Sequence, residues 1–198
     1  MLSMQIQSVS FGKKIPVAAC KVKNNQTGKF ERAKLYEYDC KDIEDLREFA
    51  SLPDYWGFKM AILNGMCEKK VALDKHNVST GVSYYVLKDN QDKTIGICSA
   101  KNDSENYGVK LIQTTPTKSH KYTGQAMLAA LALVGLNENR TKFEIRYPTD
   151  EAMMFYTDKC GFKKGDSKFH LEMDKRGMKK LVRNVQARTR SQIVDLSV

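Results

Sequence analysis

The sequence has no Cys-x-x-Cys pair, no clustered histidines and no apolar run long enough to cross a bilayer. Each absence removes a class of protein. The five cysteines, Cys20, Cys40, Cys67, Cys98 and Cys160, are odd in number and scattered, which argues against a disulfide framework and against a zinc site. His76, His120 and His170 stand far apart, so no metal is expected. The longest apolar segment, Ala126 to Leu136, falls short of the roughly 18 to 20 residues that span a membrane. The N-terminus carries no apolar signal core, so the expected location is cytoplasmic. There is no internal repeat and no low-complexity segment.

What is present suffices for a core. With 198 residues, 41% of them apolar and 28% charged, the chain can fold as one domain with an appendage. The formal net charge is +10, and it is unevenly spread. Lys175, Arg176, Lys179, Lys180, Arg183, Arg188 and Arg190 crowd the C-terminal end, with no acid between Asp174 and Asp195. Charge alone does not choose among nucleic acid, acidic lipid, an anionic cofactor and plain solubility.

Along the chain, Ile15 to Lys23 and Phe30 to Tyr38 read as two strands joined by the turn-rich segment 24–28. Asp42 suits an N-cap for a helix with Ile43, Leu46, Phe49 and Ala50 on one face, ended by Pro53. A second short helix is placed from Asp54 to Asn64, packing Trp56, Phe58 and Ile62. Val82 to Leu87 and Thr94 to Ala100 flank a polar turn and form a hairpin. A strand from Tyr107 to Thr114 follows, with Tyr107, Val109 and Leu111 on one face. After it come a long helix from Thr123 to Asn137 and a strand from Lys142 to Tyr147 that places Phe143, Ile145 and Tyr147 together. A helix from Glu151 to Lys159 and a strand from Phe169 to Met173 complete the order, which is α+β.

The most informative stretch is Lys121, Tyr122, Thr123, Gly124, Gln125 and Ala126, set between a strand and a helix. The first N–H groups of a helix lack intrahelical partners and its N-terminus carries about half a positive charge, so an anion docks there. Glycine at 124 admits a ligand close to the backbone. Lys118, His120 and Lys121 can add cationic contacts.

These residues resemble the GCN5-related N-acetyltransferases (GNAT), whose pyrophosphate loop reads Arg/Gln-x-x-Gly-x-Gly/Ala; Lys121, Gly124 and Ala126 occupy its three fixed positions. Lys stands where the family has Arg or Gln. Thr114, Thr115 and Pro116 sit where the family often has Val-x-Pro, and the interval from Pro116 to Lys121 is longer than usual, leaving room for Ser119 and His120. Ala152 to Tyr156, running on to Gly161 and Phe162, is similar to the family's Ala-x-x-x-Tyr…Gly-Phe signature. Counting forward from Ala152 puts the tyrosine at Tyr156; counting back from Gly161 puts Thr157 there, and one extra residue in the last helical turn reconciles the counts. The resemblance covers about residues 80 to 173.

It implies a mixed, mostly antiparallel sheet flanked by helices. It also implies transfer of an acetyl group from acetyl-CoA to a primary amine by direct attack. Gln113, Thr114, Lys121, Tyr122, Thr123, Gly124, Gln125 and Ala126 would then meet the cofactor, Tyr156 would protonate the leaving thiolate, and a backbone N–H near Gln113 or Thr114 would polarise the carbonyl. Glu144 is the candidate base; as a residue it reads equally well as a carboxylate paired with Arg146. A catalytic cysteine is not favoured. The organisation expected is one domain over 1–174, in which residues 1–80 form an N-terminal hairpin with helices and residues 81–174 form the cofactor half. A basic amphipathic extension over 175–198 follows.

In that extension Met178, Leu181, Val182 and Val185 recur at helical spacing. It suits packing on the domain or on a second subunit as a homodimer. RNA or an anionic membrane surface is the alternative, and the lack of interleaved aromatics lowers the nucleic-acid reading. Two other readings stay open: an inactive module with this fold, and an acetyltransferase directed at transfer RNA.

Overall fold

The computed structural model describes residues 14–41, 43–76, 80–102, 105–115, 119–167 and 169–196. The expected N-cap at Asp42, the proline at 116 and the cation at Lys118 lie outside them. The elements in chain order are β1 (Ile15–Asn24), β2 (Phe30–Tyr38), α1 (Ile43–Ala50), α2 (Lys59–His76), β3 (Val82–Lys88), β4 (Thr94–Asn102), β5 (Asn106–Thr114) and β6 (His120–Lys121). Then come α3 (Thr123–Asn137), β7 (Lys142–Arg146), α4 (Asp150–Met154), which continues as a π turn over Phe155–Cys160, β8 (Lys163–Lys164), β9 (His170–Asp174), α5 (Lys175–Thr189) and β10 (Val194–Asp195).

One sheet runs in the order β10-β1-β2-β3-β4-β5-β7-β9-β8, with β6 paired to β1. Among the described residues every pairing is antiparallel except β5 with β7. That mixed, mostly antiparallel sheet with helices on both faces is the α+β architecture expected. Alternation along the strands gives it two apolar faces. One packs Leu46, Phe49, Trp56, Ile62 and Met66 of the α1–α2 region against Tyr84, Val86 and Ile97. The other packs α3 and the π turn against Val17, Leu35, Leu87, Ile95, Val109 and Phe143. Helix α3 is apolar all round and buried from Gln125 to Ala132, as a central helix must be.

The C-terminal helix closes onto this second face. Met178, Leu181, Val182 and Val185 of α5 join the α3 core, and Asp174 caps the helix by accepting from Gly177 N–H at 2.8 Å. Beyond it, β10 returns to β1, pairing Ala18 with Asp195 and Ala19 with Val194. The apolar face that suited a second subunit is covered within the chain.

Three local expectations change. Helix α2 begins at Lys59 and runs to His76 instead of spanning Asp54 to Asn64. Phe58 N–H, which a helix from Asp54 would commit to the carbonyl four residues back, donates to Gln113 Oε1 at 3.0 Å, and the Lys59 ammonium folds back onto Asp54 and the Leu52 carbonyl. On β5 a bulge opposite the Ser99–Ala100 step inserts Lys110, so Leu111 crosses to the α1–α2 face while Ile112 joins Val109. Tyr147 leaves its expected face because the chain turns at φ 57°, leaving the ring 76% exposed.

Candidate functional site

The parallel pairing of β5 with β7 stops at Val109 and Ile145. Beyond that point β5 follows β4 while β7 ends at Arg146, and the strands separate. The gap leads into two cavities. One, about 590 Å³, is lined by Phe58, Ala61, Gly65 and Glu68 of the α2 region, by Tyr84 and Ser99, and by the β5 and β7 residues of the opening. The other, about 360 Å³, lies before the N-terminus of α3 and is lined by Ile112, Gln113, Thr114, His120, Tyr122, Thr123, Gly124 and Gln125. Ile112, Ala152 and Tyr156 line both, so the two cavities meet at Tyr156.

The second cavity has the features of an anion cradle. Tyr122 precedes α3 in the left-handed conformation, φ 69°, and supplies no side-chain cap. The N–H groups of Tyr122 through Gln125 are therefore the ones without acceptors inside the helix. Ala126 is a correction here: its N–H donates to Tyr122 O at 2.8 Å and its side chain is fully buried, so it faces no ligand. The Thr123 hydroxyl is buried with no hydrogen-bond partner among the described residues, beside a cavity that it lines. An unpaired buried hydroxyl costs about 1–3 kcal/mol, and a phosphate oxygen in the cavity would satisfy it. The residues present thus fit the phosphates of coenzyme A.

The side chains around this cradle are fixed. Gln125 is buried, donates from Nε2 to Lys159 O at 2.8 Å and accepts at Oε1 from Arg188 at 2.8 Å, so both ends of its side chain are engaged and its backbone N–H stands at the cradle. Lys121 is exposed on β6, where it pairs with Lys23 of β1. The longer interval before the loop builds this strand: Asn25 N–H donates to Ser119 O at 2.8 Å, and His120 bonds Glu31 with Asp89 nearby. Gln113 binds the Gly57–Phe58 turn and lines the α3 cavity. Thr115 N–H donates to Ile95 O, so by the two-residue period Gln113 N–H also faces β4, whereas Thr114 N–H points into the opening. Of the two backbone donors expected there, Thr114 is the one that faces the opening.

Tyr156 and Gly161 are brought into register by the π turn. A π turn carries one residue more than an α turn, which reconciles the two counts from Ala152 and Gly161. Tyr156 then faces both cavities, and Thr157 spends its hydroxyl on Met153 O and Asp158. Burial pushes the Tyr156 phenol up to about 12, so it holds its proton at neutral pH.

Glu144 is not placed as a base. It lies mid-strand on β7, lines neither cavity, and its Oε2 accepts from Arg146 Nε at 3.1 Å and Nη2 at 2.9 Å. The carboxylate that does line the larger cavity is Glu68 on α2. A helix ended at Asn64 hides it; once the helix continues, Ala61, Gly65 and Glu68 fall on one face at i, i+4, i+7. Tyr84 crosses to this helix where Gly65 has no side chain, its hydroxyl filling the space a Cβ would take. Burial raises the Tyr84 phenol to about 12 as well.

No family model matches the sequence, and no curated protein matches it. Solved structures do match the fold. The N-acetyltransferase PaiA from Thermoplasma acidophilum, in complex with coenzyme A, superposes with a TM-score of 0.51 at 14% identity, over 72% of this chain and 98% of that one. Apo FdhC, described as a nucleotide-linked sugar GNAT, gives 0.56 at 11% identity, over 89% and 98%. The chain has the fold of the GCN5-related N-acetyltransferases.

Proposed function

We propose that the protein is an acyl-CoA-dependent N-acyltransferase that moves an acetyl group from acetyl-CoA to a primary amine by direct attack in a ternary complex. The observation that carries this reading is the junction of the two cavities at Tyr156, between an anion cradle and a separate apolar cleft. Bound acetyl-CoA would supply the thioester whose carbonyl the amine attacks. The chain's residues would do the rest. Tyr122, Thr123, Gly124 and Gln125 offer N–H groups to the pyrophosphate, with the Thr123 hydroxyl as a further donor. Thr114 N–H, on the freed edge of β5, polarises the acetyl carbonyl as negative charge builds on its oxygen. Tyr156 donates its phenolic proton to the departing sulfur. Glu68, at the α2 wall of the cleft, is the carboxylate that could accept the amine proton through water.

Thermal-shift measurement with acetyl-CoA tests the binding half and acetyl transfer to a panel of amines tests the chemistry. A rise in melting temperature with acetyl-CoA, absent with free adenosine, is the expected result. No shift at millimolar acetyl-CoA would sink the reading.

A further inference from the structure

Helix α5 closes the core and also delivers a cation to the cradle. Arg188 Nη1 donates to Gln125 Oε1 at 2.8 Å, and its guanidinium carbon stands 5.4 Å from the centre of the Tyr122 ring. Tyr122 stacks on Phe30 with ring centres 6.3 Å apart and planes 13° from parallel. The guanidinium is therefore held in place by two residues that line the cavity before α3. Its hydrogen-bond partner is a neutral amide, so its charge is uncompensated by that contact. Arg188 is itself exposed, and a guanidinium has five N–H donors, of which this bond uses one. The charge is also felt at the end of the π turn: burial raises the Cys160 thiol to about 12, with Arg188 acting in the opposite sense.

The cradle alone supplies little positive charge. A helix N-terminus is worth about half an elementary charge, and a nucleotide with a pyrophosphate and a ribose phosphate brings several negative ones. The planar fork of arginine matches two phosphate oxygens at once, and its contact with Tyr122 fixes its position before a ligand arrives. Arg188 lies far from Gly124 in sequence, on a helix beyond the segment that carries the motifs.

We propose that Arg188 is a phosphate ligand for the nucleotide end of the acyl-CoA, so that the C-terminal helix completes the cofactor site. The inference rests on the cofactor reading above. The chemistry fits either the pyrophosphate or the 3′-phosphate.

The test is calorimetric titration of the full chain with acetyl-CoA and with its 3′-dephospho form, at two ionic strengths, for the wild type, Arg188→Ala and Arg188→Lys. Arg188→Ala should weaken acetyl-CoA about tenfold and flatten the salt dependence, and Arg188→Lys should recover part of both. A loss confined to acetyl-CoA assigns the contact to the 3′-phosphate; an equal loss with both ligands assigns it to the pyrophosphate. Equal affinity of Arg188→Ala and wild type overturns the proposal and leaves the cofactor reading standing. A weakened variant with an unchanged salt slope, not rescued by lysine, would mean that Arg188 only holds Gln125, and overturns it too. A wild type that binds no acetyl-CoA removes both readings. Melting of the unliganded variants separates lost folding from lost contact, and Arg188→Lys serves alone if the alanine variant unfolds.

Discussion

The ring of Phe155 lies 3.0 Å from the point where a side-chain carbon on Gly124 would sit. The π turn and the start of α3 are in contact there, and glycine is what permits it. Replacing Gly124 by valine should drive Phe155 from its place and fill the cradle. The expected outcome is loss of the acetyl-CoA thermal shift in a protein that still folds, checked by melting with and without ligand. A valine variant that keeps the full shift would remove the phosphate site from the helix start.

Tyr156→Phe keeps the ring and deletes the proton. If the phenol protonates the leaving thiolate, turnover should fall roughly 100-fold while the affinity for acetyl-CoA holds, since the hydroxyl has no hydrogen-bond partner among the described residues. Because burial raises this phenol to about 12, the wild-type rate should show no loss from Tyr156 ionisation below about pH 10. Rate against pH for both proteins, with a titration of acetyl-CoA, decides it. Unchanged turnover in Tyr156→Phe would leave the tyrosine a packing residue.

Gly96 of β4 faces Met127 of α3, and a Cβ there would collide with the Met127 sulfur. Gly96→Ala overpacks a buried strand–helix contact and should cost about 1–3 kcal/mol in urea unfolding. Adding Met127→Ala should relieve part of that cost, and strict additivity of the two changes would contradict the geometry.

Removing the Asp174 carboxylate tests how firmly α5 is tied to the domain. Asp174→Ala leaves Gly177 N–H without its acceptor and should cost about 1 kcal/mol. If Arg188 serves the cofactor, the same variant should weaken acetyl-CoA only slightly, since the cap lies at the opposite end of the helix. Urea unfolding and the calorimetric titration read the two effects separately.

Alkaline pH should loosen the fold early. Burial raises the thiols of Cys20, Cys40 and Cys160 from 9.0 to about 12, and Tyr84 and Tyr156 from 10.0 to about 12. Unfolded, these groups lose protons from about pH 9 upward, while the folded chain keeps them until about 12. The folded state then binds more protons, so stability is full below about pH 9 and falls as pH rises from about 9 to 12. Melting temperature across about pH 8 to 11 should be level at first and then decline; a flat profile over that whole range would contradict the burial of these groups.

Much of this was legible in the sequence, and the exceptions share a cause. Residues whose pattern is local take the structure that pattern dictates: Phe30 to Tyr38 reads as a strand, and Ala126 to Leu136 is an unbroken apolar run. Glu68 is hidden because α2, KMAILNGMCEKKVALDKH, carries almost no amphipathic pattern along its length, so its end is invisible. Gln125 and Arg188 meet only in space, across 63 residues. Leu111 changes face because a bulge alters the two-residue period without leaving a compositional trace. Tyr156 is reachable by counting, since the extra residue between Ala152 and Gly161 is itself the sign of the π turn.

The short strands at the margins of the sheet have a consequence for self-association. The outer side of β1 is occupied by β10 at Ala18 and Ala19 and by β6 at Lys23 and Asn24. That leaves a foreign strand a short open stretch between Ala19 and Lys23. The opposite margin, β8, is two residues long, and both are exposed lysines, Lys163 and Lys164. Short, interrupted and lysine-bearing margins are how sheets resist pairing with another chain. Both margins of this wide sheet carry those features, and both cavities open between its strands and helices rather than at either margin.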